Sequence, residues 1–106
     1  MGSVALSEIR DAFLKYLESE RNLSAHTIRA YLGDLDSFFE HLEKLGVTDF
    51  SKLELSQIRS WLANQQVKGG ARTTLSRRAV SIRLFTKWAT KKGYLAKDVG
   101  ATLATP

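Results

Sequence analysis

Apolar residues return along this chain at the three- to four-residue spacing of helices that each turn one face inward, and nowhere with the alternation of a strand. Ile9, Phe13, Leu14 and Leu17 mark a first helix over about Leu6–Glu20, with Ser7 as its expected N-cap. Ser24 opens a second, about Ala25–Leu45, whose wide stripe runs Ile28, Tyr31, Leu32, Leu35, Phe38, Phe39 and Leu42. Gly46 stops it. Ile58, Trp61 and Leu62 mark a third over about Ser56–Val67, ended by Gly69-Gly70. Leu75, Ala79, Ile82, Phe85 and Ala89, widened by Leu84 and Trp88, mark a fourth over about Thr73–Lys92, with Gly93 behind it. The expected fold class is all-α, a small bundle of four main helices around one core. Residues 1–5 read as a disordered N-terminus or an expression remnant, and 6–95 as the folded body. Residues 96–106 hold little left to bury and read as the start of a linker.

Composition leaves this picture in place and narrows the function. A chain of 106 residues is one small domain, with apolar material for a core but not for a core and a deep cleft. It has no Cys, hence no disulfide framework, thiolate zinc site or Cys nucleophile, which fits a reducing, cytoplasmic setting. No apolar run approaches the roughly 18 residues of a membrane span, and no signal-peptide pattern opens the chain.

Charge changes the picture more. Residues 1–54 carry a net −4 and residues 55–106 a net +9, which together give the formal +5. Between Glu54 and Asp98 there are ten Lys or Arg and no acid, and seven of those cations fall in 72–92, on the fourth helix. A basic helix on a small domain points first to a polyanion, most often nucleic acid.

Catalytic chemistry is not legible. His26 and His41 stand fifteen residues apart on one helix, about 22 Å, too far to share a metal. Asp34, Asp36, Glu40 and Glu43 read as a solvated acidic face rather than a converging acid–base pair. Tyr16, Tyr31 and Tyr94 have no visible base beside them; Tyr16 and Tyr31 read as core-edge residues, and Trp61 and Trp88 as core anchors. No phosphate loop, dinucleotide fingerprint or zinc spacing occurs, so no cofactor and no metal is expected.

Binding chemistry is legible. Thr73, Thr74, Arg77, Arg78 and Ser81 are expected on the side of the fourth helix away from the Leu75–Ala79–Ile82 stripe, where hydroxyls and guanidiniums meet phosphates and base edges. Such a run also describes an ordinary solvated helix face, but the lack of any compensating acid favours binding. Near the start of the second helix, His26, Arg29, Ala30 and Gly33 lie opposite its apolar stripe. A mid-helix Gly costs about 1 kcal/mol against Ala. Gly33 therefore marks either a close approach of backbone or ligand, or simple tolerance by a well-packed helix.

Two segments carry a resemblance. Leu23, Ser24, Thr27, Tyr31, Asp34 and Leu35 match the Leu-Ser-x-x-Thr-x-x-x-Tyr-x-x-Asp-Leu pattern that opens Xer-type tyrosine site-specific recombinases. Arg78, Val80, Ser81, Ile82, Arg83, Phe85 and Trp88 resemble the same family's fourth helix. With both segments in order and the Gly-Gly stop between them, the chain from Leu6 to Pro106 resembles that family's N-terminal core-binding, SAM-like domain. The resemblance implies a non-catalytic half of a clamp on double-stranded DNA at a recombination half-site. The catalytic set, including the nucleophilic Tyr, would belong to a C-terminal domain absent from this chain. Partner recombinase subunits in a tetramer on DNA are implied too, with roles in chromosome dimer resolution at cell division or in DNA integration. Carried over by position, the expected DNA contacts are Ser24, His26, Thr27, Arg29 and Gly33 on the second helix. On the fourth they are Arg72, Thr73, Thr74, Arg77, Arg78 and Ser81, with Arg83 and Lys87 further round. The family's linker usually carries Asn-Pro where this chain has Asp98-Val99. The alternative is a helical protein-interaction module whose basic face docks an acidic partner.

Overall fold

The computed structural model describes residues 5–103, and among them it contains four α-helices, two 3-10 helices and no strand. The helices are α1 (Leu6–Ser19), α2 (Ala25–Lys44), α3 (Leu55–Val67) and α4 (Arg72–Lys91). The all-α, four-helix expectation holds. The 3-10 helices are Phe50–Lys52, between α2 and α3, and Val99–Thr102, after α4.

Local chemistry sets most helix ends. Ser24 caps α2, its Oγ accepting the Thr27 N–H at 3.1 Å. Gln57 reaches back to accept the Glu54 N–H at 2.9 Å at the start of α3. Gly46, Gly69 and Gly93 stand just past three helices with φ of 77°, 86° and 83°, the left-handed conformation that ends a helix. The first helix departs from expectation. Ala5 occupies its N-cap without a side-chain bond, and Ser7 lies inside the first turn. The expected N-terminal segment otherwise lies outside the described residues.

The apolar stripes meet in one core. Ile9, Phe13 and Leu17 of α1, Leu35, Phe38 and Leu42 of α2, Ile58 and Trp61 of α3, and Ile82 and Phe85 of α4 are all buried. Phe85 is central, with ring centroids 5.1 Å from Phe13, 5.8 Å from Phe39 and 5.7 Å from Phe50. Trp61 packs 5.2 Å from Phe38 and donates its indole N–H to Ser37 Oγ at 3.1 Å, so both the ring and its one polar atom are satisfied. Trp88 is likewise buried, 5.2 Å from Phe13.

The tail corrects an expectation. The segment after Leu95 does have something to bury: Val99 and Leu103 join the core, and the second 3-10 helix packs on α4 and α3. Thr86 of α4, wholly buried, donates from Oγ1 to Asp98 Oδ1 at 2.8 Å. Gly100 sits so close that a Cβ there would collide with that same Oγ1. Residues 104–106 lie outside the described residues.

Candidate nucleic-acid interface

One carboxylate organises the basic side of the molecule. Asp34 stands at the edge of the α2 stripe, three residues after Tyr31 and four before Phe38, and its side chain is only 2% exposed. A carboxylate taken out of water has to be paired and hydrogen-bonded. The pairing comes from α4. Arg77 grips it side-on, Nε to Oδ2 at 3.0 Å and Nη2 to Oδ1 at 2.5 Å. Arg78 adds Nε to Oδ1 at 3.3 Å, and Ser81 donates its hydroxyl to Oδ2 at 2.9 Å. The expectation that Asp34 belongs to a solvated acidic face is therefore overturned. Asp36, by contrast, is exposed and bridges to Arg10 of α1 at 2.6 Å. A surface pair of this kind contributes under about 1 kcal/mol.

The placement of the α4 cluster is corrected in the same way. Adjacent helix residues point about 100° apart. Arg77, Arg78 and Ser81 span about that same arc and converge on Asp34, so the side they share faces α2 rather than open solvent. Ser81 is 3% exposed. Arg78, 20% exposed, turns inward, donates to Gln65 of α3, and lies over the Trp61 ring at 5.9 Å. Arg77 keeps 40% of its side chain exposed. The hydrogen bonds it donates to Asp34 raise its guanidinium above the ordinary arginine value, against the opposing effect of burial. It stays charged at any working pH.

The remaining expected contacts fall into two groups. At the start of α2, Ser24, His26 and Arg29 are exposed and Thr27 is half-buried; Ser24 and Thr27 are partly occupied with capping each other. Gly33 is exposed, and a Cβ added there would meet nothing within 4 Å. No close approach within the fold explains this glycine. On α4, Arg72 and Thr73 are exposed and Thr74 is half-buried. Arg83 and Lys87 are exposed and line a groove with Val80, Leu84 and Asp98. The Asp34 cluster brings the α2 residues around Gly33 and the α4 residues around Arg77 to one junction. Arg83 and Lys87 lie on a different edge of α4.

Sequence reasoning missed Gln65 and put Asp34, a position of the matched motif, on a solvated face. The apolar repeat puts Asp34 at the edge of the stripe, where spacing does not tell a solvated acid from a paired one. Nothing local marks Gln65. Among the described residues, no group of three or more His, Cys, Asp or Glu is placed to hold a metal ion, and no helix is long and apolar enough to cross a membrane.

Comparison with known proteins adds an independent line. The family model for the phage integrase N-terminal SAM-like domain matches residues 11–93. The chain is 43% identical over 102 residues to the tyrosine recombinase XerC of Mycobacterium sp. (strain JLS). It is 46% identical over 101 residues to that of Mycobacterium tuberculosis (strain ATCC 25177 / H37Ra). Each alignment takes in 95% of this chain but 34% of the relative, so the chain spans about a third of their length. Among solved structures, the N-terminal domain of a phage integrase/site-specific recombinase from Haloarcula marismortui superposes with a TM-score of 0.86 over the whole of both chains. At 15% identity, that likeness speaks for the fold alone.

Proposed function

Because the chain belongs to the phage integrase N-terminal SAM-like domain family and is similar to the N-terminal third of XerC tyrosine recombinases, we propose that it is the DNA-binding, core-binding module of such a recombinase. The observation that carries this reading is the one-sided charge. From Leu55 to Lys97 the chain has no acid, and Arg72, Arg83, Lys87 and Lys91 of that stretch stand exposed along α4. Exposed cations along one helix suit the regular phosphates of a duplex, and an α-helix fits the major groove. In this reading, the module and a C-terminal catalytic domain outside this chain close around a recombination half-site. Ser24, His26, Thr27, Arg29 and Gly33 approach from α2. Arg72, Thr73, Thr74 and Arg77 approach from α4, with Arg83 and Lys87 on flanking phosphates. Arg78 and Ser81 act from behind, through Asp34. Strand cleavage through a phosphotyrosyl linkage would belong to the catalytic domain, and the tetramer to the assembled subunits. The reading places the chain in the cytoplasm, with chromosome dimer resolution or DNA integration as its setting. It also takes the domain boundary near residue 103, after the docked 3-10 helix, rather than at 95.

Fluorescence anisotropy with a labelled duplex of roughly 30 bp carrying a palindromic Xer-type site tests this, run at two salt concentrations beside a shuffled duplex. The expected result is binding that weakens steeply with salt and favours the site. Replacing both Arg83 and Lys87 by Ala should lower the salt slope by about one unit for each phosphate no longer neutralised. A folded sample that binds neither duplex at low salt would overturn the proposal in favour of a protein-docking module.

A further inference from the structure

The Asp34 cluster holds more cation than its carboxylate needs. One Asp faces two arginines, which leaves a surplus positive charge at the junction of α2 and α4. The two arginines are not equivalent. Arg78 has a second acceptor in Gln65 and a ring beneath it, and it is mostly covered. Arg77 hydrogen-bonds no group but Asp34 among the described residues, and 40% of it faces solvent. The side-on grip uses its Nε and one Nη2 hydrogen. The Nη1 edge, with the other Nη2 hydrogen, remains free to donate. An unrestrained surface arginine gives up rotamer freedom when it binds. Arg77 has already lost that freedom to a buried, immobile carboxylate.

Resting on the DNA-binding reading above, we infer that Asp34, with Ser81, is a positioning residue: it pre-sets Arg77 so that the free edge of its guanidinium meets one DNA phosphate or base edge at the α2–α4 junction. The carboxylate acts through Arg77 and does not itself touch DNA.

This assignment predicts an effect opposite in sign to simple electrostatics. Asp34→Asn removes a negative charge next to the duplex, so if Asp34 were only one charge among many, affinity would rise. If Asp34 positions Arg77, affinity falls even though the net charge has grown. Asn keeps the volume and one acceptor oxygen, while Arg77 can swing into water. Arg77→Lys provides a second, charge-preserving probe that leaves Asp34 and Ser81 in place but removes the two-pronged fork.

The experiment titrates the labelled duplex with the parent chain, Asp34→Asn, Arg77→Lys and the double variant. The temperature is set well below each melting midpoint, and circular dichroism confirms folding. The expected result is a loss of about tenfold in each single variant, a salt slope lowered by about one unit, and no further loss in the double variant. Asp34→Asn binding as tightly as the parent, or more tightly, overturns the inference. So does Arg77→Lys within about twofold of the parent, and that variant alone decides if Asp34→Asn does not fold. A folded parent that binds no duplex overturns the DNA-binding reading itself, and the inference with it.

Discussion

Single side chains here owe their roles to partners distant in sequence. Asp34 and Arg77 are 43 positions apart, and His41 and Ser60 are 19. His41 Nε2 lies 2.9 Å from Ser60 Oγ, half-buried between α2 and α3. Burial lowers its pKa from the ordinary 6.5, and Lys44 and Lys68 lower it further. The unfolded chain therefore takes up this proton before the folded one does. The His41 contribution to stability is complete above about pH 6.5 and is lost as pH falls through the lower, folded value. Thermal midpoints should decline from pH 7 to pH 5 more steeply in the parent than in His41→Gln, whose amide can still meet Ser60. Equal slopes would show that His41 is not the group responsible. Asp34 teaches a related lesson about legibility. Its place at the edge of the α2 stripe was plain from spacing, yet its surroundings were not, because a charge at a stripe edge reads the same whether water or arginine covers it.

At the scale of elements, most of the architecture was readable. Each helix lies within a residue or so of the span set by its apolar repeat, because capping side chains and left-handed glycines act locally. The tail was not readable. AKDVGATL has no helical period, and its burial depends on Thr86, which from sequence alone reads as an ordinary polar helix residue. The contact between Gly100 and Thr86 makes a sharp prediction. Gly100→Ala puts a methyl group against a buried, β-branched side chain and should cost about 1–3 kcal/mol in urea melts. Adding Thr86→Ala should recover part of that loss, so that the two changes are not additive. A neutral Gly100→Ala would mean that the 3-10 helix does not rest on α4 in solution.

For the whole molecule, the docked tail adds Val99 and Leu103 to the shared core. Removing residues 97–106 strips Val99 and Leu103 from the core and should lower unfolding free energy by about 3 kcal/mol, read by urea titration against the full chain. An unchanged midpoint would return the boundary to about residue 95. Charge polarity also belongs to this scale. The acid-free stretch is a property of the chain, and it survives folding as exposed cations along α4. By itself the sequence determined the number, length and inward faces of the four helices and the basic character of the last, since these follow from local periodicity and composition. Only the tertiary structure decided which cations stay free for a ligand. Arg78 and Ser81 turned inward to a carboxylate on another helix, Arg77 kept one edge in water, and the apparent linker closed over Thr86. Those outcomes depend on which side chains meet across the packed core, and a repeat of three to four residues holds no information about partners more than 40 residues away.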